Sequence, residues 1–566
     1  MILSEYLHRR LAAAGVTRAF GVPGYFVMPI WQAFASDPSI VLARHESGAA
    51  FMADGHSRVT GRLGVVLATT GPGMTNCVTG VACAYRDSVP MLVVTGQAPT
   101  ATFGRGAFLE SYVLDRSTSP AALFAPITKK SIEIVDPAHA AFLIDTAISL
   151  ALSGRPGPVH LSVPIDLQQR KIPVDRSAPL GFNPDKPNNT AHPRAAGVAQ
   201  AADLLCAAAR PMLLAGWGCM RSGAEADLAL LAEEISAVVV SSTKAVSCLP
   251  ARHPHRLGHL GPGQRSDIAE TIRQFAPDVV VAIGASLSSY YTQPIADVLD
   301  HATLIRIDVD PDNLYLRRAV ELAIVGDARH TVIALREAIR VRRSRAVASE
   351  DAPALVGAFH AKARRAALAQ PTEYASHPAM SGTLARLGAM LPAQSIVIPD
   401  AGNHWLDTIA LHCPQHAGGL QLNCGIGAMG WAIGASVGIA MAHPGHRTVC
   451  VTGDGSMLMH GAELSVAAEH GLNLVTLVFN NRSHGRVRLG QRMDFDGEPF
   501  GTDIPSIDFA TWMAAMGLRT FKIERPDQVE PVLKESLSTP GTVGIEIMCH
   551  PDEVPASLRD WIEDGQ

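Results

Sequence analysis

Asp454 and Asn481 are the residues whose types and spacing point most directly to chemistry. Asp454 sits in Gly453-Asp454-Gly455-Ser456, and Asn481 closes an Asn480-Asn481 pair that follows residues 456–479. The run TVCVT (Thr448–Thr452) is apolar and strand-length; HGAELSVAAEHGL then reads as a helix and NLVTLVF as the next strand. Asp454 therefore stands at the carboxyl end of one strand and Asn481 at the end of the next, and neighbouring parallel strands bring such ends together. A carboxylate, an amide oxygen and a main-chain carbonyl just beyond suit Mg2+, which is hard and octahedral and takes one or two protein side chains beside phosphate oxygens and water. Gly455 and Ser456 precede a helix, whose free N–H groups suit an anion. A Gly-Asp-Gly turn or an Asn pair is common alone. Their spacing within one strand–turn–helix–strand unit points to a diphosphate held through magnesium.

The elements that must position these residues recur along the chain. Apolar runs at Gly64–Thr69, Met91–Thr95, Pro211–Ala215, Val238–Val240, Val279–Ile283, Thr448–Thr452 and Leu474–Phe479 alternate with helical stretches. Fully apolar runs suit parallel strands covered by helices on both faces. The class is α/β, with three doubly wound parallel-sheet domains. Residues 173–195 are rich in Pro, Asn and Asp and lack periodicity, as a linker does; residues 342–378 read as an Ala- and Arg-rich helical arm running into Pro371 and Pro378. The expected domains are thus 1–172, 196–341 and 379–550, with a tail over 551–566. The first residues form an amphipathic helix with Ile2, Leu3, Leu7 and Leu11 toward a core, unlike a signal peptide.

Composition bounds the function. The chain has 566 residues, 47% hydrophobic and 17% charged, with 49 Gly and 38 Pro. That is an ample core, and it excludes disordered, collagen-like and coiled-coil classes. A net charge of −5 argues against a nucleic-acid partner, which would want a basic face. No window approaches the roughly 18 apolar residues of a membrane span, so no membrane partner is expected. Nine Cys without a CxxC pair read as buried thiols of a reducing compartment rather than disulfides or a zinc site. The expected location is cytoplasmic.

In order and spacing, these motifs resemble those of the thiamine-diphosphate enzymes, whose signature is GDG and, a little under thirty residues later, NN. The resemblance covers nearly the whole chain. Arg44-His45-Glu46-Ser47-Gly48-Ala49 resembles that family's RHE-x-GA segment, and it continues through Gly71-Pro72-Gly73-Met74-Thr75-Asn76. Gly425–Gly430 resembles the GLGTMG turn of acetolactate synthases, Asp400–His404 their DVGQH and Gly21–Gly24 their opening loop. The subgroup is acetolactate synthase-like, and the three domains become pyrimidine-binding, central and diphosphate-binding.

The resemblance implies roles. Glu46 matches the glutamate that hydrogen-bonds the aminopyrimidine and so promotes deprotonation of the thiazolium C2; read alone, it is equally a partner for Arg44. Asp454, Asn481 and the Ser483 carbonyl match the metal shell, with Gly455 and Ser456 at the diphosphate. Asn403 and His404 match a diphosphate-contacting pair, and Asn76 counts among the cofactor-binding residues. Gly427 and Met429 match the main-chain grip on the aminopyrimidine, Met429 also being the bulky residue that enforces the bent cofactor. The implied cofactors are thiamine diphosphate and Mg2+. The implied assembly is a homodimer or homotetramer with the cofactor between the first domain of one subunit and the third of another.

Departures bear on the substrate, for which Tyr25, Phe26, Phe108 and Leu109 are the candidate pocket residues. Acetolactate synthases carry Phe-Gln-Glu where this chain reads Phe108-Leu109-Glu110. Leu109 offers no hydrogen bond to a substrate oxygen, which suggests another acceptor or no second keto acid. Tyr25 and Phe26 replace small residues and narrow the substrate end. Benzoylformate-type decarboxylases often place a histidine where Thr69 and Thr70 stand, which weakens a simple decarboxylase reading. In the central domain, Gly258–Gly261 and Gly284–Ser289 stand where flavoprotein relatives show GMHG-like and RFDDR-like segments, while Ile307–Asp310 and Gly326–Ala328 keep the look of a nucleotide site. FAD is possible but not favoured. The tract 486–500 reads as a mobile lid or a plain loop. The expected activity is a carboligase joining a decarboxylated 2-oxo acid to an acceptor. The alternatives are a 2-oxo acid decarboxylase releasing an aldehyde, an FAD-dependent pyruvate oxidase-like enzyme, and an inactive regulatory relative.

Overall fold

The computed structural model of the protein describes residues 1–111, 118–174, 191–342, 351–367, 376–412, 414–495, 497–556 and 558. Three sheets follow one another along the chain. The first holds β1 (Arg18–Gly21), β2 (Ser39–Leu42), β3 (Gly64–Ala68), β4 (Met91–Gln97), β5 (Lys130–Glu133) and β6 (Pro158–Pro164) in the order β2-β1-β3-β4-β6-β5. The second holds β7 (Pro211–Ala215), β8 (Val238–Ser242), β9 (Arg256–Leu260), β10 (Val279–Ile283), β11 (Thr303–Asp308) and β12 (Leu322–Val325) in the order β12-β11-β10-β7-β8-β9. The third holds β13 (Ile396–Pro399), β14 (Thr448–Gly453), β15 (Leu474–Asn480), β16 (Arg519–Ile523) and β17 (Val543–Met548) in the order β13-β14-β15-β17-β16. Every neighbouring pair is parallel.

The apolar runs became strands because only a strand covered on both faces buries every residue of such a run. All residues of β3, β4, β7, β10, β14 and β15 are buried. Separate apolar clusters fill the two faces of the second sheet. One cluster instead spans the first and third domains. At its centre the helix Glu46–Thr60 lies against the helix Trp431–Ala442 with almost no gap. A Cβ on Gly438 would stand 2.0 Å from the Met52 carbonyl oxygen, and one on Gly55 would stand 2.2 Å from that of Ala435. Glycine is required there for close approach.

Some elements depart from expectation. The first helix begins at Leu3; Ile2 caps it and bridges to Lys171 instead of facing the core. Within 342–378 the described helix Asp351–Ala367 buries Ala352, Val356 and Phe359 against the second sheet. Residues 175–190, 343–350 and 368–375, and tail residues 557 and 559–566, lie outside the described residues. The tract after the Asn pair is no loop over its first part. Residues Gly485–Asp494 form a helix, tied down by Arg488 to Asp503 and Asp552 and by Arg492 to Asp552. Among the described residues no helix is long and apolar enough to cross a membrane.

Candidate active site

The third sheet puts Asp454 and Asn481 side by side. β14 and β15 pair in register from Thr448–Leu474 to Gly453–Phe479, so the chain leaves both strands at one level. Asp454 opens the helix Asp454–His460. The Ser483 N–H donates both to Asp454 Oδ2 (3.1 Å) and to Asn481 Oδ1 (3.2 Å), drawing the two oxygens together. Burial pushes the Asp454 carboxyl up to about 6, against the pull of N–H donors from Gly455 and Ser483. A buried carboxylate whose charge is this costly calls for a cation.

A cavity of about 220 Å3 opens beside this group, lined by Asn403, His404, Met429, Asp454, Gly455, Ser456, Asn481 and Ser483. Seven of the eight were expected at the diphosphate or its metal, and Met429 as the bulky residue beneath the cofactor. Asn403 Oδ1, His404 Nε2, Ser456 Oγ and Ser483 Oγ are buried with no hydrogen-bond partner among the described residues. Burial holds the His404 ring down to about 4, hence neutral. Such orphaned polar atoms need a polar occupant. Among the described residues no three His, Cys, Asp or Glu side chains converge as a metal cage. The donor set is one carboxylate and an amide with a carbonyl nearby, which fits Mg2+ shared with a diphosphate.

Asp400 is a residue that sequence reasoning passed over as a positioning group. Its buried carboxylate accepts from the Ala401 and Gly430 N–H groups and from Thr452 Oγ1. One side chain thus ties the turn before Asn403, the turn carrying Met429 and the strand leading to Asp454. His484 and Arg486, which also line the cavity, were missed too. Nothing in their sequence context shows which way they point.

Glu46 belongs to a separate cluster. It is 9% exposed, and its Oε2 accepts from Asn76 Nδ2 at 2.9 Å. Arg44 pairs with Glu469 rather than with Glu46. A Cβ on Gly73 would stand 3.3 Å from Glu46 Oε1, and one on Gly71 would stand 3.5 Å from Leu109 Cδ2. Leu109, in the left-handed region at φ 54°, therefore sits on the turn beside Glu46. Its loop is anchored by Ser111, which bonds the Gln97 side chain through both its N–H and its C=O and also accepts from Thr70. Tyr25 and Phe108 stand exposed, but Phe26 is buried with the Tyr25 ring edge-on 5.2 Å away, so only Tyr25 presents its ring to solvent from that pair. Glu46, Asn76, Tyr25, Phe26, Phe108 and Leu109 line neither the 220 Å3 cavity nor the larger one described next.

That second cavity, about 1030 Å3, lies where the three domains meet. It takes in the carboxyl ends of β7 and β10, where strand order reverses, the usual ligand crevice of such sheets. Asp308, Gly326 and Asp327, read from sequence as nucleotide-site residues, line it together with Trp217, Arg221 and Lys244. Gly427 faces this cavity and Met429 the smaller one, so the turn Gly425–Gly430 runs between the two.

Three family models match the chain: the thiamine pyrophosphate enzyme N-terminal TPP binding domain over residues 1–116, the central domain over 198–335 and the C-terminal TPP binding domain over 400–547. The acetolactate synthase isozyme 3 large subunit of Escherichia coli is 31% identical over 94% of this chain and 92% of its own length. A protein of Methanocaldococcus jannaschii described as a probable acetolactate synthase large subunit is 30% identical over 97% of this chain and 92% of its own. The acetolactate synthase of Arthrospira platensis is 30% identical over 95% and 92%.

Proposed function

The chain belongs to the thiamine pyrophosphate enzymes, in the acetolactate synthase-like group, and on that premise we propose that it decarboxylates a 2-oxo acid and ligates the acyl unit to an acceptor carbonyl. The observation that carries this reading is the 220 Å3 cavity, in which Asp454, Asn481, Ser483 and four unpartnered buried polar atoms converge. Thiamine diphosphate supplies, when bound, the carbon acid on which a 2-oxo acid loses CO2. Asp454 Oδ and Asn481 Oδ1 would hold Mg2+, with the Ser483 carbonyl as a third donor. Ser456 Oγ, Asn403 and the neutral His404 would orient the diphosphate. Glu46, held by Asn76, gives and takes the proton at the aminopyrimidine.

The separation of Glu46 from the Asp454 cavity supports a second copy of the chain completing each site. Large apolar side chains stand exposed at Phe108, next in sequence to Leu109, and at Val487, in the lining of the 220 Å3 cavity. A homodimer is the minimum unit of the proposal, and a homotetramer satisfies it equally.

Leu109 beside Glu46 favours an acceptor other than pyruvate. The test is product analysis with pyruvate and a panel of acceptor aldehydes, keto acids and other electrophiles, with thiamine diphosphate and Mg2+ supplied. A ligated product exceeding free aldehyde supports the reading. Aldehyde alone replaces it with a decarboxylase, and oxygen-dependent turnover with an oxidase.

A further inference from the structure

The backbone just before Glu46 is not held by its own domain. The Arg44 N–H donates to Glu463 Oε2 (3.0 Å) and the His45 N–H to Glu463 Oε1 (2.9 Å). Glu463 comes from the third domain. It ends the single 3-10 turn Gly461–Glu463 that directly continues the helix opened by Asp454, and it is 1% exposed. Gly48 makes the approach possible, since a Cβ there would lie 2.0 Å from Glu463 Oε1. The Arg44 guanidinium adds bonds to Ser465 Oγ (2.8 Å) and Glu469 Oε2 (2.6 Å). His45 caps the Glu46 helix by accepting from the Ser47 N–H, so fixing His45 fixes where the helix starts.

We propose that Glu463 is a positioning residue for Glu46: its carboxylate chelates the two successive N–H groups before Glu46 and sets the point from which that side chain reaches the cofactor. Asn76 fixes the carboxylate end of Glu46, and Glu463 fixes the backbone end. A charged acceptor with two donors is stronger and more directional than neutral hydrogen bonds. Burial pushes the Glu463 carboxyl up to about 7, against the pull of the Arg44 and His45 N–H groups and the Arg44 charge, with the nearby charge on Glu46 a smaller upward contribution. Glu463 also closes the run that Asp454 begins. Each chain therefore carries Asp454 and the backbone support of Glu46 on one continuous run, and in the proposed dimer the two would serve different sites.

The proposal rests on the assignment of Glu46 as the proton-transferring residue. The experiment compares wild type, Glu463→Gln, Gly48→Ala and Glu46→Gln. Glu463→Gln keeps the shape but turns an NH2 against one of the two donors; Gly48→Ala keeps the Glu463 carboxylate as a chemical group but displaces it with the added Cβ. In the cofactor-free protein, amide exchange at Arg44 and His45 should quicken in Glu463→Gln. With thiamine diphosphate and Mg2+, calorimetric affinity should change by less than about twofold. C2 hydrogen–deuterium exchange should slow roughly ten- to a hundredfold, since displacing a reacting group by about 1 Å costs that much, and kcat should fall with KM little changed. If Glu463→Gln does not fold, Gly48→Ala carries the same expectation. Wild-type C2 exchange in a folded Glu463→Gln or Gly48→Ala protein, with Glu46→Gln slow, overturns the role of Glu463 alone. Wild-type exchange in Glu46→Gln overturns the assignment of Glu46 and the positioning role with it.

Discussion

Asn76 Nδ2 lies 2.9 Å from Glu46 Oε2 and donates to it, so the end of the short helix Pro72–Asn76 after β3 holds the carboxylate that opens the helix after β2. Glu46→Gln keeps the shape and an acceptor for Asn76 but cannot exchange a proton. The variant should fold and bind thiamine diphosphate much as wild type does. Turnover should fall about 10²–10⁴-fold, the usual share of a positioned acid–base group. NMR of C2 hydrogen–deuterium exchange on the bound cofactor checks it; wild-type exchange removes Glu46 from the chemistry.

Asp454→Ala should abolish Mg2+-dependent binding of thiamine diphosphate. It deletes the one carboxylate of the proposed metal set, and a diphosphate without its cation leaves buried charge uncompensated. Calorimetry with and without Mg2+ is the measurement. Equal affinity in variant and wild type, with Mg2+ present, would show that the metal sits elsewhere.

Much of this arrangement was legible in the letters. Strands such as Pro211–Ala215 and Val279–Ile283 were bounded by composition alone, because a fully buried parallel strand must be apolar on both faces. The register of Asp454 with Asn481 followed from strand adjacency. The helix Gly485–Asp494 was hidden because its stabilising partners, Asp503 and Asp552, are distant in sequence. Asp400 and Glu463 were illegible for the same reason. Each acts on backbone N–H groups of another segment, and a hydrogen bond to main chain leaves no trace in the identity of the residue it holds.

The purified protein should show no stoichiometric flavin band. The 1030 Å3 cavity has room for a large ligand, but the stretches Gly258–Gly261 and Gly284–Ser289 depart from the flavin segments of relatives. A visible absorbance spectrum decides it. A band near one flavin per chain would restore the oxidase reading.

His160 should make the fold acid-sensitive in a way that a single substitution isolates. The ring is fully buried, stacked on Phe124 and bonded to Thr95 and Ser131, and burial lowers its pKa to about 3. Below the unfolded value of 6.5 the unfolded chain takes up a proton that the folded one refuses, so stability falls as pH falls through that window. The difference is about 1.4 kcal/mol per pH unit. Asp400 and Glu463, raised by burial, shift stability the other way, so the comparison must be differential. The stability margin of wild type over His160→Gln, from urea unfolding, should shrink between pH 6.5 and 4.5. A margin independent of pH contradicts it.

Leu109 bears on the identity of the second substrate. It lies over Gly71, which caps the helix Pro72–Asn76 whose Gly73 faces Glu46, and its loop is fixed through Ser111 to Gln97 and Thr70. On the proposed reading Leu109 stands beside the reacting carbonyl, and a leucine has no donor to give a carbonyl oxygen. An unpaired substrate oxygen in a buried pocket costs about 1–3 kcal/mol, or roughly 5–150-fold in rate. Acetolactate from pyruvate alone should therefore be a slow side reaction, and the preferred acceptor should be more apolar than pyruvate or not a keto acid. Leu109→Gln restores a donor at that point and should raise acetolactate formation relative to the native product. Steady-state kinetics with pyruvate alone and with competing acceptors measures both effects. Efficient wild-type conversion of pyruvate to acetolactate, with no better acceptor in the panel, would show that Leu109 does not set the choice.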